Sequence, residues 1–431
     1  MRYYSLEQQS PPVSFKEATI NGQAPDKGLY FPETIPQLGS SWIAAIDDMT
    51  NEDIAYDVIL PYVGNDIPGD KLRRIVSETV NFSIPLVKVT DNIFSLELFH
   101  GPTLAFKDIG ARFMSRCLGY FARERSEKIT VLVATSGDTG GAVANGFFGV
   151  EGVEVVILYP SGKVSSVQEK QLTALGGNIH ALEVKGSFDD CQRMVKQAFT
   201  DETITKKRFL TSANSINVAR WLPQQFYYFF AYKQWSQKET PPVFCVPSGN
   251  FGNICAGMLA YISGLPAKHF IAACNVNDVV PRYLHSGEYD VKQATPTLSN
   301  AMDVGNPSNF VRILQLFDHQ FINLRHALSG YTVTDAETKD TIRRTLHETG
   351  YILDPHGAVG YLSLQRYLDA HADQKGIFLE TAHPVKFPEV VEEITGQPIA
   401  IPDSVKEIMH LPKKSTVITP EYENLKDYLL S

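Results

Sequence analysis

Residues 129–149 run ITVLVATSGDTGGAVANGFFG. Ile129–Ala134 is a short β-branched run, Thr135–Gly141 is a glycine-rich turn, and the spacing from Ala142 onward is helical. A strand that runs straight into a glycine turn and a helix is the start of a parallel βαβ unit. The same texture recurs on both sides. Downstream, Val153–Leu158 (VEVVIL) precedes a helical SSVQEKQLTALG at 165–176 and a further strand at Ile179–Val184, after which Phe188, Cys191, Val195, Ala198 and Phe199 fall at helical spacing. Val243–Val246 (VFCV) leads into PSGNFGN and a helical ICAGMLAYI, and Phe270–Ala273 and Ile377–Leu379 add short apolar strands. Strands alternating with helices predict an α/β chain of doubly wound parallel sheets with both faces covered. In such sheets ligands bind beyond the carboxyl ends of the strands, so the loops after these strands are the place to look.

The chain has 431 residues, 43% apolar and 20% charged, enough for a sizeable core. Length alone suggests about three domains. Residues 1–92 are rich in proline and turn residues, with helix-like stretches near 38–50 and 70–80, and read as an accessory N-terminal domain. The net charge of −9 and the lack of any basic stripe disfavour nucleic acid as a partner. No window of ~18 apolar residues offers a membrane span. The first residues, MRYYSLEQQSPPVSF, have neither a secretory nor a transit pattern, which points to a cytoplasmic protein. The five cysteines (117, 191, 245, 255, 274) lack CxxC spacing and sit among apolar residues, so we expect reduced packing thiols and no metal site.

Three loops carry chemistry. Pro247–Asn253 (PSGNFGN) joins a strand to a helix start, where close-approaching backbone N–H groups and the helix dipole suit a phosphate. It matches neither the P-loop nor the dinucleotide fingerprint. A tight turn with glycines for geometry alone is the alternative. Thr135–Gly141 repeats the arrangement, with Ser136, Asp138 and Thr139 as side-chain partners for a carboxylate or phosphate; a capped helix without a ligand is the other possibility. In His100–Asp108 (HGPTLAFKD), Lys107 falls in the first turn of a helix marked by Ile109, Phe113, Cys117 and Phe121. The dipole at that end and the flanking Leu104, Ala105 and Phe106 favour a neutral amine, as a Schiff-base lysine requires. A solvated lysine paired with Asp108 would have the same sequence. A desolvated lysine, a phosphate cradle and a second anion loop are together what pyridoxal 5′-phosphate and an amino-acid substrate need.

Longer motifs surround these loops: GLYFP (28–32), ELFHGPTLAFKD (97–108), TSGDTGGAVA (135–144), SANSINVAR (212–220), VPSGNFGN (246–253), NVNDVVPR (275–282), TLSNAMDVGNPSN (297–309) and TAHPVKF (381–387). In them the chain resembles, over nearly its whole length, the threonine synthases of the fold-type II class of pyridoxal-phosphate enzymes, and the N-terminal segment is similar to their shorter microbial and fungal type. The resemblance implies two doubly wound domains of tryptophan-synthase-β-like architecture, a large cofactor-binding one (93–125 and 205–431) and a small one (126–204), beside the accessory domain. It implies Lys107 as the cofactor lysine and Ser248, Gly249, Asn250, Phe251, Gly252 and Asn253 as the cradle of the cofactor phosphate. Thr381 would meet the pyridine nitrogen, and Asp138 would lie near the cofactor 3′-oxygen, where related folds often carry Asn. Ser136, Gly137, Thr139 and Gly140 would take the substrate carboxylate, and Asn214, Ser215 and Arg220 the substrate phosphate. The implied activity turns O-phospho-L-homoserine and water into L-threonine and phosphate in a cytoplasmic monomer or homodimer. A related phospho-lyase, a serine/threonine dehydratase and a non-catalytic binding protein on the same scaffold stay open at this point. His100, His356 and His383 lie in motifs too, with structural hydrogen bonds as their simplest role.

Overall fold

The structure, a computed structural model, describes residues 1–431. The chain divides into two compact units, one of Phe31–Phe106 and Trp221–Ile399, the other of Arg2–Tyr30, Lys107–Arg220 and Ala400–Ser431. Each is built on a parallel-rich sheet, as the alternation of strands and helices predicts.

The first unit holds a six-stranded sheet in the order Leu328–Thr332, His269–Cys274, Val243–Pro247, Gly376–Glu380, Ile93–Glu97, Leu86–Lys88. All neighbours are parallel except the edge strand Leu86–Lys88, which pairs antiparallel with Ile93–Glu97. The strands Val243–Pro247 and Gly376–Glu380 are buried along their whole length, so their continuous apolar pattern follows from cover on both faces. The helix Pro355–Asp369 supplies much of that cover, packing Ala358, Val359 and Leu364 against Val243, Cys245, Ile271 and Phe378. Asp354 caps its start and Pro355 takes the first helical position, where a missing N–H costs nothing. From Val243–Pro247 the chain winds outward through His269–Cys274 and Leu328–Thr332, then returns to the other side as Gly376–Glu380. The winding direction therefore reverses between Val243–Pro247 and Gly376–Glu380. The loops leaving those two strands begin at Ser248 and Thr381.

The second unit holds five parallel strands in the order Thr416–Ile418, Ile179–Val184, Val153–Pro160, Ile129–Ala134, Phe209–Thr211. Its core joins Leu132, Val156, Leu158 and Leu182 to Cys191, Met194 and Ala198 of the helix Phe188–Thr200 and to Leu425 and Leu429 near the C-terminus. Here the reversal falls between Ile129–Ala134 and Phe209–Thr211, so the loops at the switch are those starting at Thr135 and Ser212. A small antiparallel pair, Arg2–Ser5 with Val13–Ser14, also belongs to this unit.

The boundaries of the two units differ from the three-part division drawn from the sequence. Residues 1–92 do not stand as one body. The helix Phe15–Asn21 packs on the helix Lys107–Ala122, while Asn51–Val63 packs on Gln225–Gln234. The 38–50 stretch contains only Ser40–Ala44 and a 3₁₀ turn, and the long helix follows it, capped by Thr50 and carrying Pro61 near its end.

Candidate active site

In the first unit the HGPTLAF and TAHPVKF loops are laced together. Leu98 N–H donates to Glu380 O at 3.0 Å, Phe106 N–H to Thr381 O at 2.9 Å and His383 N–H to Leu104 O at 3.0 Å, with Ala105 and Ala382 bridging antiparallel between them. Lys386, fully buried, donates from Nζ to Thr103 O at 2.8 Å, and the Tyr227 hydroxyl donates to Phe106 O. The residue immediately before Lys107 is thereby fixed to the carbonyl of Thr381. Lys107 itself is half-buried and opens the helix Lys107–Ala122, the first-turn position expected for it.

At the neighbouring strand end, Ser248 N–H returns to Ala273 O (2.8 Å) and Ser248 Oγ donates to Val246 O (2.8 Å). Phe251 adopts φ +60°, a left-handed conformation that is uncommon for a bulky residue, and serves as the N-cap of the helix Gly252–Ile262. A Cβ on Gly249 would lie 2.7 Å from Ala301 O and 2.8 Å from Met302 Cα, so only glycine fits there. Asn309 donates from its backbone N–H (3.1 Å) and Nδ2 (3.2 Å) to Asn250 O, and the buried Arg312 holds Asn309 Oδ1 at 2.7 Å while stacking over Trp221. The Tyr228 hydroxyl donates to Asn253 O and Oδ1, at 2.9 and 3.0 Å, and Asn253 Nδ2 is left buried without a partner.

In the second unit, Thr135 Oγ1 accepts the N–H groups of Gly137 (3.0 Å) and Gly140 (2.9 Å) and closes the turn on itself. Gly137 has φ +138°, and a Cβ there would lie 2.5 Å from Gln168 Cδ. Asp138 opens the helix Asp138–Phe147 and accepts from Gln168 Nε2 at 2.9 Å, so its carboxylate has a protein partner besides the expected cofactor contact. Ser136 and Thr139 are half-buried on either side of it. In the SANSINVAR loop Asn214 and Ser215 are half-buried, and Arg220 is buried with Nη1 donating to Ala213 O. Asn217 orders the loop, donating to Thr19 O (2.9 Å) and accepting from Ala219 N–H (2.9 Å).

Ser248–Asn253 combines an unpartnered buried amide donor, a helix start whose first N–H groups have no helical acceptor, and a turn that only glycine can form, the features an anion cradle needs. These residues fit a phosphate-bearing cofactor.

Comparison with known proteins bears directly on this. Residues 85–379 match the family model of pyridoxal-phosphate dependent enzymes, residues 2–80 that of the threonine synthase N terminus and residues 357–429 that of the threonine synthase C-terminal region. The threonine synthase of Haemophilus influenzae is 44% identical over the full length of both chains. The chain belongs to the threonine synthase family of pyridoxal-phosphate-dependent enzymes. Among solved structures, the threonine synthase of Escherichia coli superposes with a TM-score of 0.92 at 42% identity, covering 100% of this chain and 99% of its own. The pyridoxal-phosphate-bound threonine synthase of Brucella melitensis does so with a TM-score of 0.94 at 36% identity, covering 100% and 98%. The two parallel-rich α/β sheets expected of this family are observed, together with a small N-terminal antiparallel sheet.

Several supporting residues were not singled out in the sequence. Gln168 had a visible signal, the Ser165-x-x-Gln168 capping box, which fixes the helix facing Gly137. Asp354-Pro355 reads as a helix start. Tyr227, Tyr228, Asn309 and Glu380 had none, because their partners lie far away in sequence. Of the motif histidines, His100 Nε2 meets Glu97 Oε2 at 2.7 Å, and His383 Nδ1 accepts from Val385 N–H at 3.1 Å. Burial pushes His383 down to about 4, leaving it neutral. Burial, and then the neighbouring Asp354 carboxylate, raise Glu380 well above the usual carboxylate range.

Proposed function

We propose that this protein converts O-phospho-L-homoserine and water into L-threonine and phosphate, the closing step of threonine biosynthesis. The observation that carries the reading is that the motif loops coincide with the switch points of the two sheets: Ser248–Asn253 and Thr381 in one unit, Ser136–Gly140 and Asn214–Arg220 in the other.

Lys107 would hold pyridoxal 5′-phosphate covalently, Ser248–Asn253 its phosphate and Thr381 its ring nitrogen, with Asp138 toward the 3′-oxygen. When bound, the cofactor supplies an electron sink that lets protons leave carbons next to the substrate amine. The Lys107 amine would take the proton from the substrate Cα. Ser136, Gly137, Thr139 and Gly140 receive the substrate carboxylate at the start of the helix Asp138–Phe147, where its charge meets the positive end of the dipole. Asn214, Ser215 and Arg220 hold the substrate phosphate, and the arginine fork favours the charge that grows as the Cγ–O bond breaks. In the net balance the Cγ–O bond breaks and phosphate leaves, Cβ exchanges one hydrogen for the hydroxyl of water, Cγ gains a hydrogen, Cα regains its proton, and the second proton of water ends on the phosphate. No helix is long and apolar enough to cross a membrane. A cytoplasmic monomer or homodimer is our working assignment.

The test is incubation of the purified holoenzyme with O-phospho-L-homoserine while phosphate, threonine, 2-oxobutyrate and ammonia are measured together. Equimolar phosphate and threonine is the expected result. Release of 2-oxobutyrate and ammonia would instead make the protein a phospho-lyase or dehydratase.

A further inference from the structure

Beneath the phosphate turn runs a buried polar chain that the activity above does not use. It starts at Glu380, the last residue of its strand, whose next neighbour is Thr381. Glu380 Oε1 accepts the Asp354 N–H at 2.8 Å. Its Oε2 occupies the room a side chain on residue 357 would need, so a Cβ on Gly357 would collide with it. Asp354 caps the helix Pro355–Asp369, with Oδ1 accepting the His356 N–H at 2.7 Å and Oδ2 the Gly357 N–H at 3.3 Å. The same Oδ1 lies 2.6 Å from His356 Nδ1. On its far side, His356 Nε2 receives the backbone N–H of Ala301 at 3.2 Å. A ring nitrogen that accepts a backbone N–H carries no proton, so the imidazole hydrogen sits on Nδ1 and points at Asp354. The chain ends where the cradle begins, because Ala301 O and Met302 Cα are the atoms that back Gly249.

Resting on the cradle assignment above, we propose that Glu380, Asp354 and His356 are positioning residues: Glu380 seats Asp354, Asp354 orients His356, and His356 holds the 301–302 backbone that shapes the phosphate turn at Gly249. The same strand end carries Thr381, so the chain links the group proposed for the ring nitrogen to the turn proposed for the phosphate. Chemistry agrees at each joint. Asp354 sits at a helix start, which favours a carboxylate acceptor. Glu380 is buried against that carboxylate, with Glu97 as a further acid nearby, and a neutral acid is the form that suits such a place. His356 is buried and its two nitrogens have different partners, which fixes one tautomer.

The test compares two ligands on the full-length protein freed of cofactor: pyridoxal 5′-phosphate, and pyridoxal, which lacks the phosphate. His356→Leu removes the acceptor for Ala301 and should raise the Kd for pyridoxal 5′-phosphate by about 10- to 100-fold, because the half-buried Ala301 N–H that shapes the turn is left unheld. The Kd for pyridoxal should change by less than about threefold, because the ring and lysine contacts are untouched. Glu380→Gln should keep the wild-type ratio of the two affinities, since an amide retains the acceptor for Asp354 N–H and stays neutral. Loss of affinity for both ligands alike in His356→Leu, or for neither, would overturn the proposal, as would a collapsed ratio in Glu380→Gln. Gly249→Ala distinguishes the cradle from its support. If it leaves the ratio unchanged, the cradle is misassigned and the proposal falls with it. If it collapses the ratio while His356→Leu does not, the positioning role alone is wrong. Should His356→Leu not fold, His356→Asn takes its place: it keeps a donor toward Asp354, is too short to reach Ala301, and should shift the two Kd values in the same pattern, with the same contrary results overturning the proposal.

Discussion

Tyr228→Phe removes one oxygen atom from a fully buried ring, and its consequences can be worked from the contacts. The hydroxyl donates to Asn253 O at 2.9 Å and Oδ1 at 3.0 Å. Because Oδ1 faces a donor, the Asn253 amide is held with its NH₂ turned the other way, as the unpartnered Nδ2 requires if it is to serve an anion. Losing the bond costs about 1 kcal/mol, and stranding a buried Oδ1 adds about 1–3 kcal/mol. For a folded body of about 150–250 residues each kcal/mol moves Tm by about 2–4 °C, so a fall of about 4–16 °C is expected. The amide, no longer anchored, also loses part of a charge-assisted bond to the cofactor phosphate. That bond contributes about 1.5–3 kcal/mol, so the Kd for pyridoxal 5′-phosphate should rise by about 10- to 100-fold. Thermal melts of the cofactor-free protein and titration with cofactor measure the two effects separately. A double-mutant cycle with Asn253→Ala decides the mechanism. Coupling above about 0.5 kcal/mol is expected for residues sharing a hydrogen bond, and additive effects on cofactor affinity would refute the idea that Tyr228 acts through Asn253.

Lys107→Ala should abolish borohydride trapping of the cofactor while leaving the melting temperature near wild type; trapping on another lysine would reassign the covalent link. Thr381→Val should weaken cofactor binding by about 3- to 10-fold, the worth of one neutral hydrogen bond, and an unchanged Kd would leave Thr381 as a strand-end residue only. Arg220→Ala should lower kcat/KM by about 10- to 1000-fold with a loss in kcat. It should also reduce stability, because Nη1 holds Ala213 O; normal turnover per folded molecule would leave the phosphate pocket unassigned. Burial holds His269 and His383 at about 4, below their ordinary 6.5, so the unfolded chain takes up protons first as pH falls. Their stabilisation is therefore complete above pH 6.5 and is lost toward pH 4, by up to about 3 kcal/mol for each. Glu380 acts in the opposite sense, because a raised carboxyl keeps its proton in the fold. Urea midpoints between pH 7 and 4.5 should fall less steeply in His269→Gln than in the wild type, and parallel slopes would exclude that histidine.

Local pattern made much of the frame legible. Ile129–Ala134 could be bounded from composition because a strand buried along nearly its whole length is almost entirely apolar, and turn residues mark its end, whereas Ile179–Val184 stands out by its aliphatic residues despite His180 and Glu183. Lys107 could be placed in a first helical turn because Ile109, Phe113, Cys117 and Phe121 follow it at helical spacing. Leu328–Thr332 (LSGYT) gave no such signal: it lies at the edge of its sheet, is mostly half-buried, and lacks a continuous apolar run. The helix Asp335–Thr349 buries mainly threonines and Ile342, so its inward face is faint in the sequence. The site divides in the same way. Loops that carry their own glycines announce themselves, whereas Tyr228, Asn309 and Glu380 act across contacts that span 25, 59 and 26 residues of sequence. The unit boundaries were hidden too, since they depend on which helices pack and not on where composition changes.

Strain offers a last reason to take the two loops of the first unit as built for chemistry. Leu104 and Phe251 both hold left-handed backbone conformations, at φ +59° and +60°. A bulky side chain in that region costs about 1–3 kcal/mol and persists only where surrounding contacts leave no alternative. Around Leu104 those contacts are specific. Its carbonyl receives His383 N–H, Lys386 holds Thr103 O, and Phe106 is bonded to Thr381. Leu104 is itself buried, so rotation out of the left-handed region would have to break backbone bonds and expose an apolar side chain together. Around Phe251 the constraint is the start of the helix Gly252–Ile262 and the ring packing of Phe251 against Phe310. A glycine in either place would remove the strain and with it the rigidity, because glycine admits many more conformations. Keeping a leucine three residues before the lysine fixes the direction in which the chain enters Lys107. Keeping a phenylalanine at the helix start fixes the direction of the N–H groups that follow. Both loops have their backbones fixed before any ligand arrives, and preorganisation of that kind is how a protein lends binding energy to charge that develops later.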